Sequence, residues 1–153
     1  MKMVDESERR GFDSSSLDQR SYQLGMIYAF AEIVGSGCKR LALSPALTVD
    51  EFDAIWDDVR LIAGEFGLIL DVDDDFLTTR LFNPEYTRGK RVIHIADGQG
   101  TLDEYMRLKE LKRRSIEEGA LTEEVELELA WGMGRLLSYS DEAIRGLMDE
   151  PRF

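Results

Sequence analysis

Apolar positions recur at helical spacing between Phe52 and Phe66. Phe52, Ile55, Trp56, Val59, Ile62, Ala63 and Phe66 fall on one stripe, while Asp50, Asp53, Asp57 and Asp58 take much of the rest. That alternation predicts an amphipathic helix with one solvated face. Thr48-Val49-Asp50-Glu51 has the spacing of a capping box and marks its start, and Gly67 marks its end. Upstream, Leu17 to Val34 is apolar around most of its circumference: Tyr22, Leu24, Met26, Ile27, Tyr28, Phe30, Ile33 and Val34. A helix of this kind needs cover on more than one side, so it is either central to the fold or at a subunit interface. Ser16-Leu17-Asp18-Gln19 reads as its capping box and Gly35-Ser36-Gly37 as its stop.

Shorter apolar runs read as strands: Cys38 to Ser44, closed by Pro45; Leu68 to Val72; Phe76 to Phe82; and Lys90 to Ala96. The first two flank the amphipathic helix and predict a βαβ unit with parallel strands and a right-handed crossover. The second and third flank the aspartates and predict a hairpin. Thr101-Leu102-Asp103-Glu104 predicts a further helix to about Glu118, stopped by Gly119. Thr122 opens another through about Ser138, and Ser140 opens a short last one. Gly132 and Gly134 lie inside the Thr122 helix, where each costs about 1 kcal/mol against Ala, so they predict close packing. The expected architecture is α/β: a flexible tail over residues 1–15, then a single domain over 16–153. Its small mixed sheet has about four strands, one βαβ unit plus a hairpin, with flanking helices and a C-terminal helical segment.

The 153 residues suit one domain with a sizeable core. Apolar residues make up 43% and charged residues 33%, a globular balance. The net charge of −12 repels phosphate backbones and anionic headgroups, which argues against nucleic acid and membrane surfaces as partners. Cys38 is the one cysteine, so no internal disulfide is expected. The N-terminal stretch lacks a signal-peptide core, and the longest apolar run contains Glu32 and is too short for a bilayer. The expected location is the cytoplasm.

The stretch "LILDVDDDFL" carries the candidate chemistry. An apolar strand leading into Asp-x-Asp resembles the first motif of the haloacid dehalogenase superfamily of phosphatases and phosphotransferases. The resemblance implies Asp71 as nucleophile and Asp73 as general acid and base, with a divalent metal such as magnesium held by both carboxylates. Asp75 stands where that motif has Thr or Val, and the superfamily's later motifs have no counterpart on the one clear strand that follows. An EF-hand loop is excluded, because Phe76 replaces the turn glycine and Phe82 the bidentate glutamate. The reading adopted is an acidic hairpin turn, since Asp bonds its own backbone readily and tolerates turn conformations.

A turn can border a site. With the first two strands parallel and the fourth returning to the same edge, one rim would gather Ser44, Asp71, Asp73, Asp97, Gly98, Gly100 and Thr101. The carboxyl ends of strands are where α/β sheets bind ligands, and Gly98-Gln99-Gly100-Thr101 could cradle a small anion at a helix start. Ser44, Asp97, Gly98, Gly100 and Thr101 are therefore the candidate ligand-binding residues, and Asp71 and Asp73 the candidate metal ligands. His94 is expected as a satisfied core histidine, Cys38 as a small buried residue, Trp56 and Trp131 as core, and Lys109 to Arg114 as a solvated basic face. The function expected is a small binding or interaction protein that self-associates through its first helix and takes a small molecule at the rim. The alternative is a metal-dependent hydrolase or phosphotransferase using Asp71 and Asp73.

Overall fold

The computed structural model describes residues 12–151. The helices are α1 (Gln19–Gly35), α2 (Val49–Glu65), α3 (Pro84–Thr87), α4 (Gln99–Glu117), α5 (Glu123–Leu136) and α6 (Asp141–Asp149). The strands are β1 (Leu41–Leu43), β2 (Ile69–Asp73) and β3 (Val92–Ala96). Of the expected tail, residues 1–11 lie outside the described residues, and Ser14–Ser16 forms one 3-10 turn.

The capping chemistry sets most helix starts. Thr48 and Glu51 form the reciprocal box at α2, and Thr122 and Ser140 cap α5 and α6. Two starts differ. Asp18, not Ser16, caps α1, because its carboxylate reaches the Ser21 N–H. The start of α4 lies at Gln99, with Gly98 as an N-cap that has no side-chain bond. Thr101 therefore sits inside α4, and its hydroxyl donates back to Asp97.

The sheet has the order β1-β3-β2, and both pairings are antiparallel. Leu41 faces Ala96 and Leu43 faces His94 across one ladder; Ile69 faces Ala96 and Asp73 faces Val92 across the other. β1 and β2 run in the same direction, as the βαβ pattern requires, but β3 lies between them. This is a three-stranded antiparallel sheet rather than the four-stranded mixed sheet expected.

The missing strand is Phe76 to Phe82. Phe76, Leu77, Thr79, Leu81 and Phe82 are buried, yet the segment pairs with no strand. Side chains satisfy its backbone instead. The Leu77 N–H donates to the Tyr105 hydroxyl (3.0 Å), Lys112 Nζ donates to the Thr78 carbonyl (2.6 Å), and the Leu81 N–H donates to Thr79 Oγ1 (3.2 Å). Buried backbone groups need partners, and side chains serve as well as a ladder does. The predicted hairpin is thus replaced by a long irregular connection from β2 to β3.

Three layers result. Ala42, Ile93 and Ile95 on one sheet face pack against Ile27, Ala31 and Val34 of α1 and Phe52, Ile55 and Val59 of α2. Leu41, Val92 and Ala96 on the other pack with the Phe76–Phe82 segment, Tyr105, Met133, Leu136 and Ile144. The α1 helix buries only part of its apolar surface, and Tyr28 and Ile33 remain 45% and 39% exposed. A β-carbon on Gly132 would stand 2.8 Å from Leu108 Cδ2, and one on Gly134 would stand 2.5 Å from Ile144 Cγ1. Both glycines mark the close helix approach that the sequence predicts.

Candidate functional site

The antiparallel register divides the expected rim. The Ser44 N–H donates to the Ile93 carbonyl, and the Asp97 N–H donates to the Arg40 carbonyl. Ser44 and Asp73 therefore lie near the start of β3, while Asp97 lies past its end. Gly98, Gly100 and Thr101 go with Asp97 to that opposite edge. There Arg40 pairs with Glu104 (2.9 Å) and donates to Thr101 Oγ1 (3.4 Å). Thr101 is buried, and Gly98, at φ −175°, is simply extended. Asp71 faces His94 across the ladder, so Asp97 is three β3 positions beyond its partner, about 10 Å along the strand.

Asp73 is where the aspartate cluster becomes informative. As the last residue of β2 it faces the α4 side and is buried. Its Oδ1 accepts from the Asp75 N–H (2.9 Å), which turns the chain out of the strand. Tyr105 of α4 donates its hydroxyl to Oδ2. Lys109, one helical turn on, donates to both oxygens at 3.0 and 3.2 Å. His94 Nε2 stands 3.5 Å from Oδ2, a long and weak polar contact. Burial alone would raise the Asp73 carboxyl. The facing His94 ring, the Tyr105 hydroxyl, the Lys109 ammonium and the Asp75 N–H outweigh it and hold the carboxyl well below the usual range. Burial first, and then the bond to Asp73, push the Tyr105 phenol above its ordinary value.

This arrangement bears on the metal reading. Lys109 occupies the space in which a cation would meet Asp73. Asp71 is half-buried on the same face, but among the described residues no three His, Cys, Asp or Glu side chains are grouped to hold a metal ion. The basic run is corrected in part: Lys109 and Lys112 turn inward, while Arg113 pairs on the surface with Glu110 and Glu117. His94 is fully buried as expected, but neither ring nitrogen has a hydrogen-bond partner among the described residues. Cys38 is exposed, because β1 begins only at Leu41. Trp56 and Trp131 are partly buried at the edges of the two core clusters. Tyr105 was not singled out from the sequence; its one signal was a place four residues before Lys109 on the apolar stripe of α4.

A cavity of about 260 Å³ lies beside β1. Ala42, Leu43, Ser44 and Pro45 form one wall, Met26 and Phe30 of α1 another, and Phe76, Phe82 and Val92 the inner side. Leu137 and Tyr139 line it from the end of α5, and Lys39 adds a charged group to the lining. The lining is mainly apolar, with a few polar groups, which is the usual make-up of a small-molecule site. Ser44 lines it as a structural member: its Oγ donates to the Pro45 carbonyl and accepts from the Ile93 N–H, both at 2.8 Å. Lys39 is half-buried, stands 5.3 Å from the Tyr139 ring centroid and has no carboxylate partner among the described residues. Burial pushes its ammonium below the ordinary lysine value. No family model, curated protein or solved structure matches this chain. Among the described residues, no helix is long and apolar enough to cross a membrane.

Proposed function

We propose that the protein binds a small, mainly apolar molecule with an anionic head in the cavity beside β1. The observation that carries this reading is the pairing of an apolar hollow of about 260 Å³ with a half-buried Lys39 on its lining that has no carboxylate partner among the described residues. A lysine in a chain of net charge −12 has many carboxylates to choose from. One kept beside a hollow instead is placed to meet a ligand's charge. The volume lies just below the usual range of about 300–1,000 Å³ for ligand pockets, so the ligand is small. Binding is favoured over hydrolysis, because both Asp73 oxygens are engaged by Tyr105 and Lys109.

Calorimetric titration with hexanoate and with hexanol tests the proposal. Hexanoate should bind saturably, and Lys39→Met should weaken it about tenfold while leaving hexanol unchanged. No saturable binding of either probe at millimolar concentration would refute it. Self-association through α1 belongs to the same reading, supported by the exposed Tyr28 and Ile33. A monomer mass by light scattering across micromolar concentrations would remove that part. A cytoplasmic location accords with the reading and is tested by fractionation.

A further inference from the structure

The face between α4 and α5 shows an imbalance of charge. Most described arginines are paired with carboxylates: Arg20 with Asp58, Arg40 with Glu104, Arg60 with Asp57, Arg80 with Glu126, Arg88 with Glu85, and Arg113 and Arg114 with Glu110. Among the described residues, Arg91, Arg107, Arg135 and Arg145 make no ion pair. Arg107 and Arg135 line one groove between α4 and α5, and Arg145 meets the Trp131 ring that borders it. Arg135 and Arg145 hold their guanidinium groups 5.3 and 5.4 Å from the centroid of the Trp131 ring. Arg107 lines the same groove from α4, with Arg114, whose nearest carboxylate is Glu110 at 3.9 Å.

The groove has a volume of about 560 Å³, and Leu108, Leu111 and the Trp131 indole supply its apolar surface. Gly132 lets Leu108 lie close against α5 there. Glu128 is the one acid on the lining, against three arginines. Two cations sharing one indole repel each other, and each cation–π contact offsets only about 0.5–1 kcal/mol at an exposed site. In a chain with 31 acidic residues, a lining of three arginines and one glutamate makes a surface complementary to an external anion. Trp and Arg are also the side chains that dominate protein interfaces energetically.

We propose that this groove docks an acidic peptide segment of a protein partner, carrying an apolar side chain between its carboxylates. The arginines ring an open groove on exposed helix faces and do not converge on one enclosed point. That suits several carboxylates spaced along a chain better than a single small anion. Arg107, Arg114 and Arg135 of the lining receive the carboxylates, with Arg145 against the Trp131 ring, and Leu108, Leu111 and Trp131 receive the apolar residue. The site is separate from the cavity beside β1 and does not depend on it.

The test uses a Trp56→Phe background, which leaves Trp131 as the sole tryptophan. The probe is a capped hexapeptide of five glutamates and one leucine, titrated at low salt against Trp131 fluorescence. A saturable change is expected, weakened at least tenfold by Arg135→Gln or Arg114→Gln and again by 0.5 M salt. Thermal melts of each variant verify folding. Arg107→Gln provides the same readout if the other two variants prove unstable. Lys39→Met should bind the peptide normally, so failure of the cavity reading and failure of this one are distinguishable. The proposal is overturned if no saturable change occurs, if the Gln variants bind as wild type does, or if inorganic phosphate binds there while the peptide does not.

Discussion

Replacing Asp73 by Asn tests whether the buried carboxylate ties β2 to α4. The change preserves shape and removes charge. In the folded protein the carboxylate accepts from Tyr105, from Lys109 with both oxygens, and from the Asp75 N–H. An amide keeps one acceptor for Asp75 and Lys109 but turns a donor toward the Tyr105 hydroxyl, which already accepts from Leu77. Breaking a buried ion pair from one side costs about 3–5 kcal/mol. The Lys109 side chain is 24% exposed and can turn partly to water, so the lower end applies. The expected loss at pH 7 is about 3 kcal/mol, or about 6–12 °C of melting temperature at this chain length.

The pH dependence gives a second readout. The folded Asp73 carboxyl titrates below the unfolded one, so the unfolded chain takes up the proton first as pH falls. The stabilisation is complete above about pH 4, near the unfolded value, and drains away as pH drops toward the folded value. The gap between wild type and Asp73→Asn should therefore be widest at neutral pH and narrow below pH 4. Urea unfolding followed by tryptophan fluorescence, with midpoints compared at equal slope, measures it. A gap under about 0.5 kcal/mol at pH 7, or one that stays constant to pH 3, would refute the reasoning.

Gly134→Ala should destabilise by about 1–3 kcal/mol despite its better helix propensity, because the new methyl meets the fully buried Ile144; a more stable variant in denaturant melts would contradict this. Thr48→Ala should cost about 1 kcal/mol by loss of the α2 cap, seen as a lower urea midpoint with unchanged slope. Ser44→Ala should cost about 1–3 kcal/mol by orphaning the Ile93 N–H yet leave hexanoate affinity intact; weaker binding would make Ser44 a ligand contact. Millimolar magnesium should leave the melting temperature where EDTA leaves it, since Lys109 already meets Asp73. A rise lost in Asp71→Asn would restore the metal reading.

What the sequence alone determined is what a window of ten to twenty residues contains. The period of α2, its Thr48–Glu51 cap, the Thr122 and Ser140 starts, the glycine stops and the strands near Leu70 and Ile93 all follow from such windows. So does the close packing at Gly132 and Gly134, because a helix glycine needs a compensating contact. Tertiary structure decided everything that depends on partners distant in the chain. It placed β3 between β1 and β2, and this choice sent Asp97 to the opposite edge from Ser44. It made Phe76–Phe82 an irregular buried segment, because Tyr105 and Lys112 satisfy its backbone from α4. It turned Lys109 inward onto Asp73 and gathered Lys39, Met26, Phe76 and Tyr139 around one hollow. Pairing, burial and charge compensation are non-local, so a run of aspartates reads alike in sequence whether its carboxylates face water, a metal or a buried lysine.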